Sequence, residues 1–118
     1  MATINTFKHE KDVVTFPAGQ TIFQEGEPGD IMYIVKEGEV EILLRKNILE
    51  TVGPGGVLGE MALIDSSSRS ASAIAKTDCI LVPLNEERFK IQVHHTPFFA
   101  IQVMRIMADR LRRMDAQM

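Results

Sequence analysis

The chain has 118 residues, a formal net charge of -3, 45 % hydrophobic residues and 25 % charged residues. That length supports one hydrophobic core, and we expect a single domain over residues 1–118. The acidic balance argues against bulk nucleic-acid binding, and a single cysteine, Cys79, excludes an internal disulfide or an intrachain thiolate metal cage.

The first two-thirds read as short strands cut by glycine turns. Val13-Val14-Thr15-Phe16 runs into Pro17-Ala18-Gly19, and Thr21-Ile22-Phe23 ends near Gly26. Glu27-Pro28-Gly29-Asp30 has the composition of a tight turn. Ile31 to Val35 is β-branched and aromatic, as in a buried strand. Val40, Ile42 and Leu44 alternate with Glu39, Glu41 and Arg45, the half-buried signature, with Leu43 as the exception. Lys46-Asn47 is read as a reversal into Ile48 to Val52, and Gly53-Pro54-Gly55-Gly56 as loop. Ala71 to Ala75 and Cys79 to Leu84 supply two more strands. Repeated short strands at regular spacing predict a β-barrel or sandwich, here a jelly roll.

Between them lies the motif that carries chemistry. Gly59-Glu60-Met61-Ala62-Leu63 is followed by Arg69-Ser70-Ala71-Ser72. An arginine presents a planar fork to two phosphate oxygens at once. Gly59 lets backbone approach a ligand closely. A helical turn from Glu60 to Ile64 exposes free N–H groups that attract an anion. Glu60 repels phosphate but accepts from a hydroxyl. Together the two charges describe a ligand that is both sugar and phosphate. Taken alone, they fit an exposed ion pair on a turn equally well.

The last third changes period. Asn85 is an N-cap with Glu86 and Glu87 in the first turn of a helix over about 85–94. Thr96-Pro97 opens a second, over about 97–115. Along it Ala100, Met104, Met107, Leu111, Met114 and Met118 recur at four-three spacing, a heptad-like seam. Phe98, Phe99, Ile101, Val103 and Ile106 add further apolar surface. A helix apolar so far round has two faces to cover. One packs on the barrel. The other calls for a second copy in a homodimer, an unidentified effector protein, a ligand or a further domain, unless the whole is a plain core helix.

The motif resembles the phosphate-binding cassette of cyclic-nucleotide-binding domains, the sensor module of the catabolite activator family, protein kinase A regulatory subunits and nucleotide-gated channels. The likeness extends over Phe16, Gly19, Ile22, Phe23, Gly26, Gly29, Asp30, Tyr33, Val35, Gly38 and Val40, and covers about residues 10–115. Three positions depart from the family pattern. Leu58 replaces a common phenylalanine, Ser68 a common proline, and Ser66-Ser67-Ser68 loosens the loop.

The resemblance implies a mainly β fold, an eight-stranded jelly-roll β-barrel (double-stranded β-helix) over about 12–84, with a short phosphate-binding helix and two C-terminal α-helices. It implies that Glu60 takes the ribose 2′-hydroxyl and Arg69 the cyclic phosphate. Gly59, Met61, Ala62, Leu63, Ser70 and Ala71 would complete the cradle. Ile42 and Leu49 would wall the pocket. The purine would lie near Arg110, Leu111 and Met114, and Arg110 would reach Glu60 unless it is simply solvated. The ligand implied is cAMP, with cGMP as the alternative because Ser70 is ambiguous. No cofactor is called for.

Other chemistries find little support. His9, His94 and His95 do not form the inner-face cluster of a metalloenzyme barrel, and adjacent helix residues point about 100° apart. No Gly-x-Ser-x-Gly, Walker or His-Glu-x-x-His motif occurs, so a binding domain is expected rather than an enzyme. The chain stops at Met118, short of the DNA-reading helices that follow the long helix in some relatives, so no nucleic-acid partner is expected. Met1-Ala2-Thr3-Ile4-Asn5 lacks a signal-peptide pattern, and no apolar run approaches a membrane span; a cytoplasmic location is expected. The competing reading is an interaction module that keeps the fold and has lost the nucleotide.

Overall fold

A computed structural model of the chain describes residues 4–116. Eight strands come first in order, interrupted once by a helix: β1 (Val14–Phe16), β2 (Thr21–Phe23), β3 (Met32–Glu37), β4 (Val40–Leu44), β5 (Asn47–Val52), β6 (Val57–Leu58), α1 (Glu60–Asp65), β7 (Ser72–Ala75) and β8 (Cys79–Leu84). Two helices follow, α2 (Glu86–His95) and α3 (Phe98–Ala116). The strands form two antiparallel four-stranded sheets, ordered β1-β8-β3-β6 and β2-β7-β4-β5. This is the jelly roll with C-terminal helices anticipated from the strand spacing.

Two apolar clusters hold it together. Phe23, Val35, Val40, Ile42, Leu49, Val52, Leu58, Ala73, Leu81 and their neighbours fill the space between the sheets. Met32, Ile34, Val57, Leu63, Val82, Leu84, Phe99 and Val103, with Ile4 and Phe7, form a second cluster between one sheet and the helices. β8 serves both: Cys79 and Leu81 enter the first, Val82 and Leu84 the second. That is why Ile80 to Leu84 reads as a continuous apolar run rather than an alternation.

The local signals account for most boundaries. Asn85 caps α2, its side-chain oxygen accepting from the Arg88 amide at 2.8 Å. The β4–β5 reversal falls at Arg45 and Lys46, both with positive φ, one residue earlier than Lys46-Asn47. A two-residue hairpin loop needs left-handed backbone at both central positions, and register across the sheet overrides side-chain preference there. β6 was not recognisable in the sequence, because two residues display no alternation.

The seam along α3 divides differently from the heptad reading. Phe99, Val103 and Arg110 are buried, with Ile106 packed on the helix cluster. The stripe that docks therefore runs one residue ahead of the seam. Met104 and Leu111 are exposed, Ala100 and Met107 half-buried, and Met114 packs toward the barrel interior. Met118 lies outside the described residues.

Candidate functional site

A cleft partly open to solvent lies where α1, β2, β4, the residues before β7 and the end of α3 converge. Its lining is Phe23, Ile42, Gly59, Glu60, Met61, Ala62, Arg69, Ser70, Ala71, Arg110 and Met114. Residues from both halves of the sequence motif thus meet across one space with two residues of the last helix.

Arg69 forms one end. Its backbone is tied to the β2–β3 turn: the Gly26 amide donates to its carbonyl at 2.8 Å, and its own amide donates to Glu27 at 2.7 Å. The guanidinium is buried, with its carbon 4.2 Å from the centre of the Phe23 ring, a cation–π contact. Nη1 donates to the Gly59 carbonyl at 3.2 Å, while Nε has no hydrogen-bond partner. Burial pulls the Arg69 pKa down, against Tyr33, Asp30 and other acidic neighbours that pull it up. A buried donor without an acceptor is costly unless something else supplies the acceptor.

Two glycines make room for that side chain. A Cβ on Gly29 would stand 2.2 Å from Arg69 Nε. A Cβ on Gly59 would stand 2.6 Å from Nη1, and Gly59 has φ 78°, a left-handed conformation that glycine adopts without strain. Gly59 is also the N-cap of α1, with no side chain to occupy the first-turn amides. Ser70 is exposed and its hydroxyl contacts Met61 Sδ at 3.3 Å.

Glu60 forms the other end and is buried. Arg110 Nη1 donates to Glu60 Oε1 at 2.5 Å, Nε to Glu50 Oε1 at 2.5 Å, and Nη2 to the Val57 carbonyl at 2.7 Å. Burial pushes the Glu60 carboxyl above its ordinary pKa; Arg110 opposes the rise and the Glu50 charge adds to it. For Arg110, burial would lower the pKa, but Glu60 and Glu50 outweigh it, so the guanidinium stays charged. The solvated-arginine alternative for Arg110 is excluded by its 4 % exposure.

Some side chains expected near the ligand do not line this cleft. Leu49 is buried in the inter-sheet cluster and does not line the cleft. The Leu63 side chain turns into the helix cluster, because α1 must bury its other face, which leaves the expected part of its backbone amide in the cradle untouched. Leu111 is half exposed to solvent. Two residues went unassigned in the sequence reading: Phe23, which carries Arg69, and Glu50, which carries Arg110. Phe23 was visible only as an apolar strand residue. Glu50 had the look of a polar-face residue on a half-buried strand.

A two-ended cleft with an unsatisfied buried arginine opposite a buried glutamate, on a jelly roll, has a counterpart among known families. The family model for the cyclic nucleotide-binding domain matches residues 13–94. The chain belongs to the cyclic nucleotide-binding domain family. A CRP-like cAMP-activated global transcriptional regulator of Mycobacterium tuberculosis is 36 % identical over 105 residues, which is 85 % of this chain and 47 % of that protein. The crystal structure of the Thermus thermophilus catabolite activator protein superposes with a TM-score of 0.77 at 33 % identity, over 89 % of this chain and 52 % of that one. A cAMP-bound PfPKA-R structure superposes with a TM-score of 0.79 at 25 % identity, over 89 % of this chain and 36 % of that one. The chain spans about half the length of the curated regulators it matches. No helix among the described residues of this cyclic nucleotide-binding domain is long and apolar enough to cross a membrane.

Proposed function

We propose that this domain binds a cyclic purine mononucleotide, cAMP in preference to cGMP, and relays occupancy through α3. The observation that carries the reading is the buried Arg69 Nε without an acceptor, framed by Gly29 and Gly59 at the uncapped start of α1. A cyclic phosphate supplies the missing acceptor and the negative charge together. Glu60, at the opposite end, accepts the ribose 2′-hydroxyl. Ile42, Ala71 and Met114 offer apolar surface to the base. The preference for cAMP leans on the names of the relatives, among them a cAMP-activated regulator and a cyclic AMP receptor protein.

A ligand of about 22 heavy atoms at roughly 0.3 kcal/mol per atom gains about 7 kcal/mol, a dissociation constant near ten micromolar. Because Arg110 and Met114 belong to α3, a bound ligand bridges cassette and helix and favours the docked arrangement. The output then depends on what α3 touches. Phe98, Ile101, Met104 and Leu111 are each at least 40 % exposed, which suits a second copy of the chain in an isologous contact. An effector protein is the other occupant. The role is regulatory binding without catalysis.

Thermal melting with cAMP and cGMP tests the ligand. At 100 times its dissociation constant, a ligand adds about 2.7 kcal/mol of stability. No shift with either nucleotide would favour the ligand-free interaction module. Analytical ultracentrifugation tests the contact: the wild type is expected to dimerise, and replacing Met104 and Leu111 with glutamate to give a folded monomer. A wild type that stays monomeric at high micromolar concentration, with and without cAMP, rules the homodimer out.

A further inference from the structure

Glu50 lies outside the cleft, yet it holds the helix arginine that meets Glu60. Its orientation comes from a bulge. Between β4 and β5 the register steps from Leu43↔Ile48 to Ile42↔Glu50, which leaves Leu49 as the extra residue. A bulge of this kind re-aims the side chains beside it. The Glu50 side chain, 8 % exposed, takes the Arg110 Nε. Val57 takes Nη2, and Glu60 receives the hydrogen bond from Nη1. Each donor nitrogen of Arg110 is committed to a different element, β5, β6 or α1.

A guanidinium facing one carboxylate commonly engages it with two nitrogens in a fork. Here the two carboxylates meet different edges of the guanidinium, Glu50 at Nε and Glu60 at Nη1, and the Nη2 that would complete a fork with either is held by the Val57 carbonyl. The cluster also holds two acidic groups and one cation, so the charge of Glu60 is incompletely neutralised. Both circumstances preserve Glu60 as a hydroxyl acceptor despite its ion pair.

We propose that Glu50 is a positioning residue for sugar recognition: its carboxylate competes with Glu60 for the Arg110 charge and, with the Val57 carbonyl, holds the Nε–Nη2 edge of the guanidinium, so that Nη1 alone meets Glu60 and that carboxylate stays able to accept a ribose hydroxyl. The inference rests on the cyclic-nucleotide reading and adds a residue outside the cassette motif. A merely structural anchor for α3 would behave differently, since its loss would weaken all ligands alike.

The experiment compares cAMP with its 2′-deoxy analogue by titration calorimetry, on the wild-type chain and on Glu50→Gln. Glutamine keeps the shape and an oxygen that accepts from Arg110 Nε but removes the competing charge, leaving one cation facing one carboxylate, so the fold is expected to survive and the change reads the charge of Glu50. The wild type is expected to prefer cAMP by about tenfold, the equivalent of one hydrogen bond to a charged group. In Glu50→Gln that preference is expected to fall to about threefold or less, through weaker cAMP binding, with the deoxy analogue changed by no more than about twofold. An unchanged preference, or an equal loss for both ligands, overturns the inference. Melting curves of Glu50→Gln and Glu50→Ala complete the test. If both variants unfold, Glu50 is structural and the inference fails. A wild type that binds neither nucleotide defeats the cyclic-nucleotide reading itself, which is a different result from a wild type that binds both and discriminates as its variant does.

Discussion

The two ends of the cleft are built on opposite electrostatic plans. At the Arg69 end a buried cation has an aromatic ring beneath it, one carbonyl acceptor and an orphan Nε. At the Glu60 end a buried anion shares a cation with Glu50, and every nitrogen of that cation is satisfied. The first end leaves a buried donor without an acceptor. The second is satisfied within the protein. Affinity should therefore reside mainly with Arg69, while selectivity and the docking of α3 reside with the Glu60 cluster.

The harshest way to break this contrast is Arg110→Ala. It leaves the Glu50 and Glu60 carboxylates buried without their cation, and removing one partner of a buried pair costs about 3–5 kcal/mol. Urea unfolding measures it, and a loss under about 1 kcal/mol would mean that the cluster relaxes into water. The pH dependence has a definite sign. Burial already places the Glu60 pKa above its unfolded value, so the protonated group favours the fold. That contribution is present below the unfolded pKa and lost as pH rises through the folded one. Without Arg110 the loss on raising pH should steepen.

Next in size is Arg69→Ala. Cyclic nucleotide binding should weaken by about 2–4 kcal/mol, because the phosphate loses its charged partner. Stability should hold or rise slightly, since a buried donor without an acceptor disappears with the side chain. Calorimetry and a melt on the same sample separate the two effects. Unchanged affinity would mean that the phosphate sits elsewhere.

Gly29→Ala sharpens the comparison without touching a charge. The new Cβ meets Arg69 Nε, Cζ and Cδ at 2.2–2.8 Å. The end of a long side chain can move aside, so the fold should persist while Arg69 leaves its position. A binding loss of about 1–2 kcal/mol is expected, within the usual cost of an oversized substitution. If affinity is unaffected, the framing role of Gly29 is wrong.

Glu60→Gln should have the smallest effect on binding, about 1 kcal/mol, and only for ligands that carry a 2′-hydroxyl. Comparing cAMP with its 2′-deoxy analogue gives the answer. A wild type that binds both equally would remove the hydroxyl role from Glu60.

The order of strands, the cassette turn and the capped helix were legible in the amino acids because each depends on neighbours. Alternation marked β4, Asn85 announced α2, and Gly59-Glu60 with Arg69 suggested a sugar-phosphate site, although the two charges alone fit an exposed ion pair equally well. What escaped involves partners distant along the chain. Glu50 carried no expected role and Leu49 was expected at the pocket wall; a bulge in β5 shifts the register there, and nothing in Ile48-Leu49-Glu50-Thr51 records that step. Leu111 was placed near the purine by the family resemblance, but packing leaves its side chain half exposed to solvent.

Arg110 draws the dividing line most clearly. Its residue type and its place on an amphipathic helix follow from the sequence, and so did the option that it reaches Glu60. Whether it did so, and with Glu50 and Val57 as its other acceptors, was decided when α3 docked Phe99 and Val103 against the sheet. Local pattern fixes which groups exist and what chemistry they have. Burial and long-range register decide which of them lose water together, and a charge without water must take whatever partner the fold brings within reach.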